Sequence, residues 1–429
     1  MLKDLTRSEY IHQHCNERME HALLAERHPL WARSCPELND IDFIRLGFLR
    51  CISVVDSGRH FLQNNEEIFG QLLPHSTYFK SLKSHRRTSM LEVFEQESYQ
   101  LHCETLLSQG IDYLSAFPEL DEYTVEAADG HFIDHACHTE KNSKGKVYAA
   151  GGIYALNLRN GLLRFLCLVT NGTQRHQEIP VLRDHIEKQN TASQKHLYVY
   201  DKAVTDYVWW DQQKQNSNYM ISMLKENSVA TRVEPIPFDP LHEINTGVEA
   251  YSVYENKGIK FGVVDYRDPE TRKLHRFVTT VPVTTHPGTI AILYFKRWTI
   301  EKTFNNTKSD FKETKAWSSN NNSLKNQMRL TAMSYNLMRV FEEISKIQQP
   351  ELIQPSDKKY NETLEKRQQL AQKQDCFVNP VFFQARITRI SSYTIRAVQN
   401  AILTGTSLHS FMSSLVARLV PQVELIGEH

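Results

Sequence analysis

The chain has no excess of charge. Among its 429 residues, 50 basic and 50 acidic side chains cancel, so no global polycation announces a nucleic-acid partner, and any surface for a polyanion has to be built locally. Paired cysteine motifs are missing too. The seven cysteines, at 15, 35, 51, 103, 137, 167 and 376, include no CxxC pair and leave an odd count. That excludes a disulfide scaffold and fits reduced thiols packed as core residues in a cytosolic protein. Nowhere do eighteen apolar residues run together, and the N-terminal MLKDLTRSEY is charged where a secretion signal needs an apolar stretch. These absences predict a soluble, intracellular protein with no membrane partner. No internal repeat or low-complexity tract stands out, and the length suffices for two or three domains with a full core.

What is present is a change of periodicity along the chain. Up to residue 118, stretches such as FIRLGFLRCISVV and TSMLEVFEQESYQLHCETLLSQGIDYL repeat apolar residues at three and four, the period of amphipathic helices. YTVEAAD then reads as a strand ending in Asp129-Gly130. VYAAGGIYALNL and LLRFLCLVT are two more strands, joined by Arg159-Asn160-Gly161, a hairpin signal. The helix QEIPVLRDHIEKQ, the strand HLYVYD ending at Asp201, the helix AVTDYVWWDQQKQ and the strand YMISML follow, giving the order β-β-β-α-β-α-β. Residues 228–284 are rich in short alternating segments (AYSVYE, IKFGVVDYR, HRFVTTV) with turns at Asn256-Lys257-Gly258 and Asp268-Pro269. Further on, LKNQMRLTAMSYNLMRVFEEISK reads as a helix, QQPELIQPSDKK as a linker, and Cys376–Val420 as a tail with four arginines (386, 389, 396, 418) and no acidic residue.

The most informative stretch is YFKRWTIEKTFNNTK, residues 294–308. Read as one α-helix at about 100° per residue, Tyr294, Arg297, Glu301 and Lys308 fall within an arc of about 60°. Leu293, Ile300, Phe304 and Phe311 form an apolar stripe beside them, so docking that stripe on a core holds the polar face at a cleft edge. Mixed charges on a helix are ordinarily just a solvated face. A tyrosine and an arginine flanking a lone glutamate argue for more.

This spacing, Y-x2-R-x3-E-x6-K, resembles the YREK signature of bacterial insertion-sequence DDE transposases of insertion-sequence family four. The lead-in FVTTV then AILYFKRW and the two upstream strand aspartates extend the resemblance over residues 40–345. It implies an α/β fold: a ribonuclease-H-like mixed sheet with a helical N-terminal region, a β-rich insertion and a helical C-terminal region. The corresponding division is 1–118 (helical, a candidate for binding DNA ends), 119–227 (first part of the core), 228–284 (β-rich insertion), 285–346 (second part of the core, with the YREK helix) and 347–429 (linker and helical C-terminal region, a candidate for dimerisation). In that fold the first and fourth strands are neighbours, which brings Asp129 and Asp201 side by side. Nothing in the sequence alone shows that adjacency.

The resemblance carries the metal-binding, catalytic trio onto Asp129, Asp201 and Glu301, and DNA contacts onto Tyr294, Arg297 and Lys308. Three carboxylates offer hard oxygens suited to Mg²⁺ or Mn²⁺. Two such ions about 3.5–4 Å apart activate a water or a 3′-hydroxyl on one side of a phosphorus and stabilise the leaving oxygen on the other. His131 stands two after the first aspartate where relatives usually have serine or threonine, and Lys202-Ala203-Val204 follow the second where Arg-Gly-Tyr is common; both departures bear on local DNA contacts more than on the carboxylates. Asp206 and Asp310 are weaker alternatives for the second and third carboxylates. The run Asp134-His135-Ala136-Cys137-His138 offers zinc-ligand types with no second cluster to complete a site. Six basic residues against three acidic ones between Gly288 and Lys315 (Lys296, Arg297, Lys302, Lys308, Lys312, Lys315), and a second basic island at Lys80–Arg87, are local polyanion surfaces.

The expected function is a cut-and-paste DNA transposase that frees an insertion sequence and joins its 3′-hydroxyls to target DNA. It works as a homodimer on double-stranded transposon ends and target, in a bacterial cytoplasm, nucleoid-associated when bound. The rivals are a metal-dependent nuclease of the same fold and a catalytically silent DNA-binding derivative. Relatives that form a hairpin on the excised end stack a flipped base on a tryptophan of the insertion. Here no tryptophan lies in 228–284, leaving Tyr251, Tyr254 or Phe261 as the stacking face, or an excision without that device.

Overall fold

The computed structural model describes residues 37–51, 57–64, 73–133, 150–169, 174–188, 194–201, 206–225, 228–311, 315–348 and 354–374, with positions 350 and 378. The first helices of the described residues are α1 (Asp40–Cys51), α2 (Gly58–Asn64), α3 (His75–Leu82) and α4 (His85–Ser108). Ser84 caps α4 by accepting from the Arg87 amide, which satisfies one of the orphan donors at the helix start. The two arginines of the basic island beside this cap are consumed inside the protein, while Lys80, Lys83 and His85 are exposed. Arg86 pairs with Asp40 at 2.6 Å and Arg87 with the same carboxylate at 3.0 Å, and Arg87 also donates to the Leu38 carbonyl.

The core follows as β1 (Tyr123–Ile133), β2 (Ala150–Asn157), β3 (Leu163–Val169), α5 (Gln174–Lys188), β4 (Lys195–Val199), α6 (Tyr207–Gln215) and β5 (Asn218–Met223). This is the order read from the sequence. The β2–β3 turn closes where Gly161 adopts φ +74°, a conformation glycine takes without a Cβ clash. Next come β6 (Thr231–Pro235), β7 (Val248–Asn256), β8 (Ile259–Arg267) and β9 (Leu274–Thr279), then α7 (Pro287–Lys296), α8 (Trp298–Asp310), α9 (Asn321–Gln348) and α10 (Gln354–Lys373). The stretch read as a linker is shorter than expected. Pro355 lies in the first turn of α10, where a missing N–H costs nothing.

The nine strands of the described residues form one sheet in the order β3-β2-β1-β4-β5-β9-β8-β7-β6. β1 is antiparallel to β2 and parallel to β4, and β4 is parallel to β5. This is the ribonuclease-H-like arrangement with helices on both faces. The β-rich stretch does not build a sheet of its own: β9 pairs antiparallel with β5, and β8, β7 and β6 extend the same sheet. The β7–β8 hairpin turns at Lys257 and Gly258, φ 51° and 81°, two successive positive values as a tight hairpin turn requires.

Alternation along the strands divides the core in two. Val125, Ala127, Leu197, Val199 and Ile221 face one layer, against α1, α4, α7 and α9. Ala128, Tyr198, Tyr200 and Met220 face the other, with Trp209 and Trp210 of α6. The helical N-terminal region is fastened to the sheet through Glu95 of α4, which accepts from the Phe165 amide of β3 at 2.9 Å and pairs with Arg329 of α9 at 3.1 Å. Asn336 of α9 accepts from the Leu163 amide and donates to its carbonyl, both at 2.7 Å, supplying the partners that an edge strand otherwise leaves to solvent.

The aromatics of the β-rich stretch are core residues. Tyr251 and Phe261 are buried, Phe261 stacks on Tyr207 of α6 at 4.1 Å, and Tyr254 packs against the same cluster. Tyr251 and Phe261 fill core layers on opposite faces of the main sheet, while Tyr254 stays partly exposed.

Candidate active site

The two aspartates meet through strand register. Five β1–β4 pairs, from Tyr123↔Lys195 to Ala127↔Val199, share one offset of 72 positions. Continuing that offset sets Asp129 opposite Asp201, two residues past the end of β4. Asp129 is not at a strand end as the sequence suggested: β1 runs on to Ile133, paired with β2 alone beyond Ala127. Asp129 continues the alternation of Val125 and Ala127, and Asp201 that of Leu197 and Val199, so both lie on the α7–α8 side.

The YREK stretch is two helices rather than one. α7 ends at Lys296 and α8 begins at Trp298, with Arg297 between them in helical dihedrals, φ −50° and ψ −36°. Every residue of α7 is buried, so it is a core helix, apolar around its circumference apart from a few polar groups. Its start is fixed by the loop at 239–247. Asn245 Oδ1 accepts from the Gly288 amide at 3.0 Å, and a Cβ on Gly288 would stand 1.8 Å from the Ile244 carbonyl oxygen. The apolar stripe docks as expected: Leu293, Ile300, Phe304 and Phe311 are all buried. Phe304 stacks on His131 of β1 at 4.7 Å, and Phe277 of β9 lies 4.9 Å from the Tyr294 ring. His131, a departure from the family's usual residue, therefore acts in packing α8 onto β1, a contact across 173 positions that no local pattern signals.

Arg297 joins the carboxylates. Its guanidinium, 5% exposed, places Nη1 3.5 Å from Asp129 Oδ2 and 3.0 Å from Glu301 Oε1, while the Glu301 side chain is 51% exposed. The guanidinium carbon lies 5.6 Å from the Tyr294 ring centroid. Asp129 Oδ1 accepts from the Gly130 amide at 2.8 Å. Burial holds the Asp129 carboxyl above its ordinary range; Arg297 opposes that shift, and the charges of Glu301 and Asp201 add to it. Burial likewise raises the Tyr294 phenol, with Asp201 and Glu301 among the contributors. The three carboxylates thus lie within electrostatic reach of one another around one arginine and one tyrosine.

Not every basic or acidic residue singled out in the sequence belongs here. Tyr294 is buried with its ring beside the Arg297 guanidinium; Lys308 is exposed two turns beyond Glu301 on α8. Lys296 is buried and donates to the Tyr113 carbonyl at 3.4 Å, away from the carboxylates. Asp206 caps α6, accepting from the Trp209 amide at 3.2 Å, and pairs with Arg183 at 2.9 Å, the ordinary role of an isolated aspartate. Residues 1–36, 134–138, 202–204, 312, 375–377 and 379–429 lie outside the described residues, as does the side chain of Asp310.

Among the described residues no three His, Cys, Asp or Glu side chains converge as a ready-made metal site; Arg297 stands between Asp129 and Glu301. The donor set nonetheless fits a hard divalent cation, since three carboxylates supply oxygen ligands and no soft atom. No helix of the described residues is long and apolar enough to cross a membrane. Compared with known families, residues 121–337 match the model described as Transposase DDE domain, a span from just before β1 into α9 that contains all three carboxylates. No curated protein matches the chain.

Proposed function

The chain belongs to the transposase DDE-domain family, and from that premise, which makes it a DNA transposase, we propose that it is a cut-and-paste enzyme of the YREK group acting on the ends of an insertion sequence. The observation that carries this reading is the convergence of Asp129 and Asp201, by strand register, with Glu301, by way of Arg297. Asp129, Asp201 and Glu301 would hold Mg²⁺ or Mn²⁺, which when bound would polarise a phosphoryl oxygen and activate a water or 3′-hydroxyl.

The chain's own side chains do the positioning. Asp129 is anchored by the Gly130 amide on a central strand, and Glu301 is presented from the first turn of α8. Tyr294 and Phe304 fix α7 and α8 against the sheet, so that the carboxylates keep their spacing while DNA is handled. Arg297 and the exposed Lys308 supply positive charge to the DNA backbone, Lys308 as a point charge and Arg297 with the forked donors that grip phosphate oxygens. We assign end binding to the helical region up to residue 118 and dimerisation to residues 347–429, with two protomers processing the two ends together.

The test compares Asp129→Ala, Asp201→Ala and Glu301→Ala in gel shift and in strand cleavage with Mg²⁺ and Mn²⁺. Each variant is expected to bind end DNA as the wild type does and to cut none of it. Full cleavage by any one removes that residue from the site. Cleavage by the wild type with no joined product on a target plasmid reassigns the protein as a nuclease.

A further inference from the structure

We propose that Arg297 is an internal counter-cation that competes with divalent metal for Asp129 and Glu301, and that a DNA phosphate relieves this competition by drawing the guanidinium off the carboxylates. The proposal rests on the carboxylate site assigned above and adds a gate to it. One nitrogen, Nη1, contacts both carboxylates. Its charge therefore lies between the two oxygens that a shared cation has to reach.

Arginine keeps its proton at any physiological pH, so this charge leaves only if the side chain moves. Three features let it move. Arg297 is under-bonded, since its Nε is buried with no hydrogen-bond partner. It sits at the junction of α7 and α8, not inside either helix. Its second partner, the Glu301 side chain, is half exposed. A phosphate offers two oxygens to two guanidinium nitrogens at once, engaging the Nε–H that is now without a partner.

The consequence is reciprocal coupling. If DNA tightens metal binding by removing Arg297, then metal tightens DNA binding by the same factor. Without DNA the protein's own cation offsets part of the carboxylate charge and the site binds metal weakly, which suits an enzyme that must not hydrolyse before its ends are in place.

The experiment titrates Mn²⁺ into the full-length protein and reads free Mn²⁺ by electron paramagnetic resonance, with and without a double-stranded oligonucleotide. Four variants accompany the wild type: Arg297→Met, Arg297→Lys, Asp129→Asn and Glu301→Gln. In the absence of DNA, Arg297→Met is expected to bind Mn²⁺ at least about tenfold more tightly than the wild type, because a unit charge next to the site has gone. Arg297→Lys, which keeps that charge, should bind like the wild type. Adding DNA should tighten Mn²⁺ binding by the wild type by a similar factor and that by Arg297→Met by much less. Equal Mn²⁺ affinity of wild type and Arg297→Met without DNA overturns the gate, as does a wild type indifferent to DNA, an arm that needs no variant to fold. If Asp129→Asn and Glu301→Gln leave Mn²⁺ binding by the DNA-bound protein intact, it is the carboxylate site itself that fails.

Discussion

Replacing Lys296 with methionine should stabilise this protein, although the lysine lies in the stretch whose positive charge looks made for DNA. Its amine is buried, with one long hydrogen bond, 3.4 Å, to the Tyr113 carbonyl. Asp112, whose carboxylate acts on that amine, is already engaged by Arg159 at 2.6 Å. Burial lowers the Lys296 pKa from 10.5 to about 8, with Asp112 opposing the shift. In the unfolded chain the amine keeps its proton to about 10.5. Between these two values the unfolded state therefore holds more protons, so stability rises with pH across the window and the full penalty applies below about 8. At about 1.4 kcal/mol per pH unit the gap is worth roughly 3 kcal/mol. Methionine has similar length and no charge, and it gives up a hydrogen bond worth about 1 kcal/mol. Lys296→Met should then gain about 2 kcal/mol at pH 7. Urea melts of both proteins at pH 7 and pH 10 read this directly: the variant leads at pH 7, and the lead shrinks or reverses at pH 10. A variant no more stable than the wild type at pH 7, or a difference that does not change with pH, refutes the reasoning. Because the amine points inward, the salt dependence of DNA binding should be unaltered.

Lys308→Ala, in contrast, removes an exposed charge from α8 and should flatten the slope of log affinity against log salt by about one; an unchanged slope in gel shifts at stepped salt concentrations returns Lys308 to a solvated surface. Gly288→Ala drives a Cβ into the Ile244 carbonyl at 1.8 Å, so the loop clamping the start of α7 has to shift at a cost of about 2 kcal/mol. The melting temperature should drop, and a melt matching the wild type argues against that clamp. Glu95→Ala strips the acceptor from the Phe165 amide and one of two carboxylates from buried Arg329, which keeps the exposed Glu92 at 3.0 Å, for about 2 kcal/mol lost in urea titrations, and loss under about 1 kcal/mol shows that water or another group takes over.

Sequence periodicity alone determined the order β-β-β-α-β-α-β, because alternation and the three-to-four repeat are local consequences of strand and helix geometry. It also located the Asn160-Gly161 and Lys257-Gly258 turns, whose backbone demands glycine or its near substitutes. The spacing from Tyr294 to Lys308 marked Arg297 and Glu301 as candidates for the proposed site, since it carries their identities whether or not one straight helix connects them. Only the tertiary structure decided which of them face one another. The constant offset that sets Asp129 opposite Asp201 is a property of the β1–β4 pairing, and pairing between distant strands depends on how both faces of the sheet are covered. The same packing turned Tyr294 and Lys296 inward and left Lys308 outside. It put Arg297 between two carboxylates, tied Arg86 and Arg87 to Asp40 and drew Tyr251 and Phe261 into the core of one continuous sheet. A side chain's burial and charge partners are set by residues tens to hundreds of positions away, and no local period records them.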